Sequence, residues 1–205
     1  MLGHTLIAGV AGSGKSYTEH KFIDKALESG AEVVLLDPKM VELREYIGRK
    51  GVVQYANDMD DIAYALDDQT YFMDMRYNEM IEKGLKTYDG KDRYIFLDET
   101  ADLMVLKKQQ SVKPLNRLSM LGRAAKVWLV LCTQRATADI IPRSIVINLD
   151  NIICLRQAKP VDSQQLIGRS GAEKLPRIGY TFLKTPDLPV PLKYRTDDVV
   201  NMMWK

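Results

Sequence analysis

Only two cysteines occur in 205 residues, Cys132 and Cys154, and both sit inside apolar runs, 127–132 and 152–155. A thiol in that setting behaves as a small core side chain, which excludes a disulfide scaffold or a cysteine metal site as an organising feature. Long hydrophobic runs are missing as well. The apolar stretches are strand-sized, well short of the roughly 18–20 residues that span a bilayer. The N-terminus reaches Lys15 without a cleavage-type segment, so no secretory signal is read there. Excess charge is absent too: 29 Lys and Arg against 27 Asp and Glu leave +2. No global field recruits a polyanion, and a nucleic-acid surface has to be a local patch. Repeats at a fixed spacing and low-complexity tracts are lacking. What is present, 46% hydrophobic and 27% charged residues, is the composition of a globular chain. Its length, a little over the roughly 150 residues of an average domain, predicts a single domain. The expectation is a soluble, reduced, cytoplasmic protein with no membrane segment of its own and residues 1–205 in one unit.

Short β-branched and leucine-rich runs alternate with longer helical patterns. That rhythm predicts the α/β class, with a mostly parallel central sheet and helices on both faces. The strand expectations are 5–8, 32–37, 52–55, 94–98, 127–133 and 152–156, each nearly continuous in apolar residues, and a late strand at 180–184 that closes an edge. Helices are expected over 16–27, ending at Gly30, and over 58–83, ending at Gly84. In both, a glycine stands where a left-handed C-cap is needed. A Pro-rich stretch at 186–191 reads as an extended connector to a short C-terminal helix over 196–204, packed on its own domain.

Residues 9–16, Gly-Val-Ala-Gly-Ser-Gly-Lys-Ser, fit G-x-x-x-x-G-K-[ST] directly after an apolar strand and at the opening of a helix. The glycines let backbone N–H groups turn inward around a β-phosphate, and the helix N-terminus adds the positive end of its dipole. Lys15 reaches the β and γ oxygens and the Ser16 hydroxyl ligates Mg²⁺. The candidate nucleotide contacts are Gly9, Ala11, Gly12, Ser13, Gly14, Lys15, Ser16 and Tyr17, with ATP and Mg²⁺ as ligands. Such a loop predicts a second strand that delivers a carboxylate, and residues 94–99, Tyr-Ile-Phe-Leu-Asp-Glu, supply it as a Walker B pattern. Asp98 is the candidate metal ligand. Glu99 either orients and deprotonates the attacking water, which points to hydrolysis, or is a solvated strand-end acid. The 128–132 strand ends in Thr133 and Gln134. Gln134 should face the same crevice as Asp98, since ligands bind beyond the carboxyl ends of parallel strands. It is either a phosphate or water sensor or a polar strand-end cap.

Further words run through the chain: Asp-Pro-Lys-Met-Val-Glu-Leu at 37–43, Met-Arg-Tyr at 75–77, Leu-Asp-Glu-Thr-Ala-Asp-Leu-Met at 97–104 and Gly-Arg-Ala-Ala at 122–125. They continue with Leu-Cys-Thr-Gln-Arg at 131–135, Asp-Ser at 162–163 and Gly-Ala-Glu-Lys-Leu at 171–175. In this order, with the phosphate loop, they resemble the FtsK/SpoIIIE motor domain, within the HerA/FtsK group of RecA-like P-loop NTPases. The resemblance implies a homo-oligomeric, hexameric ring that hydrolyses ATP at subunit interfaces and moves double-stranded DNA through a central channel. It also implies a finger arginine from a neighbouring subunit, which by position is Arg123, in the helix before the Thr-Gln-Arg strand. Arg156 is a second candidate for a phosphate-sensing or interface role, or an ordinary surface arginine.

Two departures stand out: Gln164 follows Ser163 where the family has arginine, and Ala136 follows Arg135 where it has proline. The phosphate loop begins nine residues from Met1. The expectation is therefore a stripped motor core that lacks its own means of reading DNA polarity and relies on a recruiting partner protein. Candidate DNA contacts are Lys107, Lys108, Arg135 and Arg143, each of which also reads as solvated charge. Beside an ATP-dependent DNA translocase stand two alternatives: a viral genome-packaging or conjugative coupling ATPase on the same fold, and a P-loop kinase or switch.

Overall fold

The computed structural model describes residues 3–134 and 140–204. Eight strands form one sheet in the order β3-β2-β4-β5-β1-β6-β7-β8. They are β1 (Thr5–Ala8), β2 (Glu32–Leu36), β3 (Val52–Ala56), β4 (Arg93–Leu97), β5 (Val127–Thr133), β6 (Asn151–Cys154), β7 (Tyr180–Lys184) and β8 (Leu192–Arg195). The first six run parallel, and β7 and β8 are each antiparallel to the strand before. The helices are α1 (Lys15–Glu28), α2 (Met59–Lys83), α3 (Thr100–Leu106), α4 (Lys108–Leu121), α5 (Arg143–Val146), α6 (Pro160–Ile167) and α7 (Thr196–Met203).

The apolar strands are continuous because both faces of the sheet are covered, and alternate residues of one strand go to opposite cores. Leu6, Val34, Ile95, Leu129 and Ile152 pack under α2, α4, α5 and α6. Ile7, Leu35, Phe96, Val130 and Ile153 pack under α1 and α7, through Phe22, Ile23, Val199 and Val200. All seven residues of β5 are buried. Both cysteines are buried and free, as their apolar settings require. Helix α1 ends at Ser29 with Gly30 at φ 79°, and α2 ends on Gly84 at φ 66°, so the two glycines take the left-handed conformation. Asp58 caps α2 by accepting the Asp60 N–H.

Two expectations are corrected. The 180–184 strand does not close the sheet: β8 does, paired antiparallel with β7. Polar alternation with proline just before it (Pro189, Pro191) hid this strand, and it is also where proline is tolerated, next to an edge. Arg123 lies not in a helix but in the turn after α4, which ends at Leu121 and Gly122. The C-terminal helix does pack on its own domain, where Tyr17 Oη donates to Asp197 at 2.9 Å and the Trp204 ring lies 5.2 Å from Tyr94. Among the described residues no helix is long and apolar enough to cross a membrane.

Candidate nucleotide site

The strand order builds the site. Because β5 lies between β1 and β4, the loop after β1 and the acids after β4 face each other across the end of β5, which carries Thr133 and Gln134. The three strand ends border a cavity of about 380 Å³ whose lining includes Gly12, Lys15, Ser16, Lys39, Asp98 and Gln134.

The loop is anchored from below. The Gly9 N–H donates to Thr133 O at 3.2 Å and the Val10 N–H to Arg156 O at 3.0 Å. The Gln157 amide, buried, donates to Ala8 O and Leu155 O at 3.1 Å each. Gly9 has no room for a side chain, since a Cβ there would lie 2.4 Å from Ser13 Oγ and 2.7 Å from Leu155 Cβ. Gly14 has φ 90° and precedes the first residue of α1, which leaves that helix's N–H groups open toward the cavity. Ser13 Oγ is buried without a hydrogen-bond partner.

Lys15, buried, donates from Nζ to Asp98 Oδ1 at 2.5 Å. Burial works against its charge, but the Asp98 carboxylate bonded to it offsets that and keeps the ammonium protonated. Asp98 is itself 1% exposed, and its Oδ2 has no partner. Glu99 stands at φ 47° and ψ 56°, a left-handed backbone that a non-glycine residue adopts only when its surroundings hold it there. That turn aims its buried carboxylate at the C-terminal end of the neighbouring β5. Oε1 accepts the Gln134 N–H at 3.1 Å and the Thr133 hydroxyl at 3.4 Å, and Oε2 accepts from Lys39 Nζ at 2.9 Å. Burial pushes this carboxyl up, while Lys39 and the Gln134 N–H more than offset it and hold it below the ordinary carboxylate range.

A magnesium ion fits these donors. The unpartnered Asp98 Oδ2 is a buried hard oxygen, and Ser16 borders the same cavity. Two such ligands suit a cation that shares the oxygens of a polyphosphate.

Several predicted residues thus come together: the loop from Gly9 to Ser16, Asp98, Glu99 and Gln134. Tyr17 lines the cavity mouth but spends its hydroxyl on Asp197. Arg156 is exposed beside the loop and contributes its carbonyl. Arg123 lies elsewhere, bonded to Asp150. Among the DNA candidates, Lys107 is paired with Asp60, Lys108 and Arg143 are exposed, and Arg135 is outside the described residues. The sequence reading missed three residues. Lys39 is the cation on Glu99. Gln157 braces the loop. Arg177 covers it, so that a Cβ at Gly12 would lie 2.7 Å from its Nη2. For Lys39 the signal was its place two residues after the acid that ends a parallel strand. For Arg177 there was none, because the approach is made by a loop 165 residues away in sequence.

Other words have structural work. Arg76 is buried on α2 and donates to Ala125 O at 2.8 Å and Lys126 O at 3.0 Å, tying α2 to the start of β5. Ser163 Oγ donates to Arg169 O at 2.7 Å and accepts the Ala172 N–H at 3.2 Å.

The sequence profile of the FtsK/SpoIIIE family matches residues 1–179. The DNA translocase FtsK of Staphylococcus aureus is 31% identical, over 84% of this chain and 25% of the relative. The DNA translocase SpoIIIE of Bacillus subtilis is 30% identical over the same shares. The chain therefore spans about a quarter of the length of these curated relatives. Among solved structures, the pCW3 conjugation coupling protein TcpA with ATPγS superposes at a TM-score of 0.81 and 24% identity, covering 98% of this chain and 64% of that one. The genome packaging NTPase B204 of Sulfolobus turreted icosahedral virus 2 superposes at 0.66 and 18%, covering 94% and 97%. The likeness to these structures is one of fold, a RecA-like P-loop sheet. With the profile running over the phosphate loop, both β4 acids and the end of β5, the chain belongs to the FtsK/SpoIIIE family.

Proposed function

We propose that this chain is an ATP-hydrolysing motor domain that moves double-stranded DNA through a homo-oligomeric, hexameric ring in the cytoplasm. The observation that carries the reading is the pairing of Lys15 with Asp98 on the lining of one cavity, with Glu99 joined to that lining through Lys39 and through Gln134 at the end of β5. Open α1 N–H groups and Lys15 receive the β- and γ-phosphates. Ser16 and Asp98 would hold Mg²⁺, which neutralises phosphate charge when bound. Glu99 accepts the proton of the attacking water as the γ-phosphoryl group departs, and Gln134 orients that water. A base directly after the metal-binding acid favours water as the acceptor over a bound alcohol, which is the argument against a kinase.

Arg123 enters the neighbouring subunit's site as the charge-stabilising finger. Arg156, exposed beside the loop, faces the interface. DNA contact falls to exposed cations after the strands, Lys108 and Arg143 foremost, through phosphate rather than base contacts. A recruiting partner protein sets where the ring loads, since the chain as a whole is near neutral. A second reading, genome packaging or conjugative coupling, is favoured by the shared fold with B204 and TcpA, and it differs in cargo rather than chemistry.

The test is steady-state ATPase activity with and without linear double-stranded DNA. Hydrolysis stimulated by DNA is expected. No hydrolysis under either condition, with phosphate appearing on a small acceptor, would overturn the motor reading. A gene neighbourhood of capsid or relaxase genes selects the second cargo.

A further inference from the structure

Two lysines and two acids pair at the phosphate cavity: Lys15, Lys39 and Asp98 line it, and Glu99 is buried behind Lys39. Lys15 holds Asp98 at 2.5 Å, and Lys39 holds Glu99 at 2.9 Å. Lys15 opens α1 after β1 and Lys39 lies in the loop after β2, while the acids are consecutive after β4. For the first pair the phosphate-loop motif already accounts: the lysine leaves the acid when phosphate arrives. The second pair has the same construction, yet no motif assigns it.

Lys39 is not an outer-surface ion pair. Its side chain is 39% exposed and borders the same cavity as Gly12, Lys15 and Ser16, whereas that of Glu99 is 4% exposed. One side of the ammonium therefore faces the buried acid, and the other faces the volume that a polyphosphate would fill. Glu99 is not free to follow it. The left-handed backbone fixes where its side chain starts, and Oε1 is tied to the Gln134 N–H and the Thr133 hydroxyl. Lys39, on an unbranched stem in a loop, is the partner able to move.

We propose that Lys39 exchanges its ion pair with Glu99 for the terminal phosphate of a bound nucleoside triphosphate, so that Glu99 Oε2 is released to face water only when the third phosphate is present. This rests on the nucleotide-hydrolysis reading above. No covalent bond forms or breaks: one ammonium moves from a carboxylate oxygen to a phosphate oxygen. A diphosphate ends short of Lys39, and the pair with Glu99 stays closed. Lys39 thereby makes the position of the base depend on the γ-phosphate within a single subunit, before any neighbour contributes.

Calorimetric titration of the full chain with magnesium and either ADP or a non-hydrolysable ATP analogue tests the exchange without requiring turnover. A lost charge-assisted hydrogen bond to phosphate predicts that Lys39→Met weakens the triphosphate analogue by about tenfold or more and ADP by less than about twofold. Lys39→Arg should keep the triphosphate preference. Glu99→Gln removes the competitor for the ammonium, so the analogue should bind several-fold tighter with ADP unchanged, and the added Lys39→Met substitution should abolish that gain. Equal behaviour of Lys39→Met and wild type, equal loss of both ligands, or a Glu99→Gln gain that survives without Lys39 would each overturn the exchange. A wild-type chain that binds neither ligand would instead overturn the nucleotide reading on which it stands.

Discussion

The Arg123 guanidinium is bound to the Asp150 carboxylate at the end of the sheet where β5 and β6 begin, and the other Asp150 oxygen accepts the His4 N–H at 2.8 Å. The phosphate loop leaves the opposite end of β1, about 13 Å away at the rise of a four-residue strand. This arginine therefore cannot serve its own chain's phosphate site. Any phosphate it touches belongs to another molecule, as the proposed ring requires.

Arg123→Ala should accordingly bind ATP within about twofold of wild type while DNA-stimulated hydrolysis falls by about a thousandfold, the scale of a missing arginine finger. Mixed with wild type, the variant should depress turnover by more than its share of the mixture. Full turnover in the pure variant would withdraw the finger assignment.

Lys15→Ala should abolish productive ATP binding. It should also lower the melting temperature of the ligand-free protein, because Asp98 is left buried with neither oxygen paired, a loss of about 3 kcal/mol for a broken buried pair. Adding Asp98→Asn should restore most of that stability and none of the binding. Thermal unfolding of the single and double variants separates the two effects.

Glu99→Gln should not weaken nucleotide binding, and it should lower the hydrolysis rate by about a hundredfold or more, the usual worth of a positioned general base. An amide at this position still accepts the Gln134 N–H, so the loop geometry is kept. Single-turnover hydrolysis with excess protein is the measurement, and a rate equal to wild type would remove Glu99 from the chemistry.

Glu19, on the first turns of α1, is fully buried with neither oxygen hydrogen-bonded. Burial, with the Asp98 charge beside it, pushes its carboxyl from the ordinary 4.5 up to about 8. The folded state thus holds a proton there that the unfolded chain gives up above pH 4.5, so stability from this group is complete below pH 4.5 and drains away as pH rises through 8. The span corresponds to a contribution on the order of 5 kcal/mol. Glu19→Gln should melt close to wild type at pH 5 and clearly above it at pH 8.5. Parallel melting curves for both proteins across that range would contradict the assignment.

Much of the fold was legible because its information is local. Apolar runs at 5–8, 127–133 and 180–184 coincide with β1, β5 and β7, and glycines at 30 and 84 close α1 and α2. Strand β8 was not legible: Leu192 to Arg195 have mostly exposed side chains, and their pairing with β7 exists only once the chain has turned back. The site divides in the same way. The phosphate loop and the two acids after β4 carry their chemistry in contiguous residues, and each demands its own residue type.

Residue type and spacing along the chain carry the α/β class, the phosphate loop, the consecutive acids and the family. The tertiary structure alone decided which lysine meets which acid, that Gln157 and Arg177 support and cover the loop, and that Arg123 sits at the far end of the sheet from the loop. The reason is the strand order: placing β5 between β1 and β4 and bringing β2 beside β4 joins residues 60 and 83 positions apart, and no periodicity records such crossings.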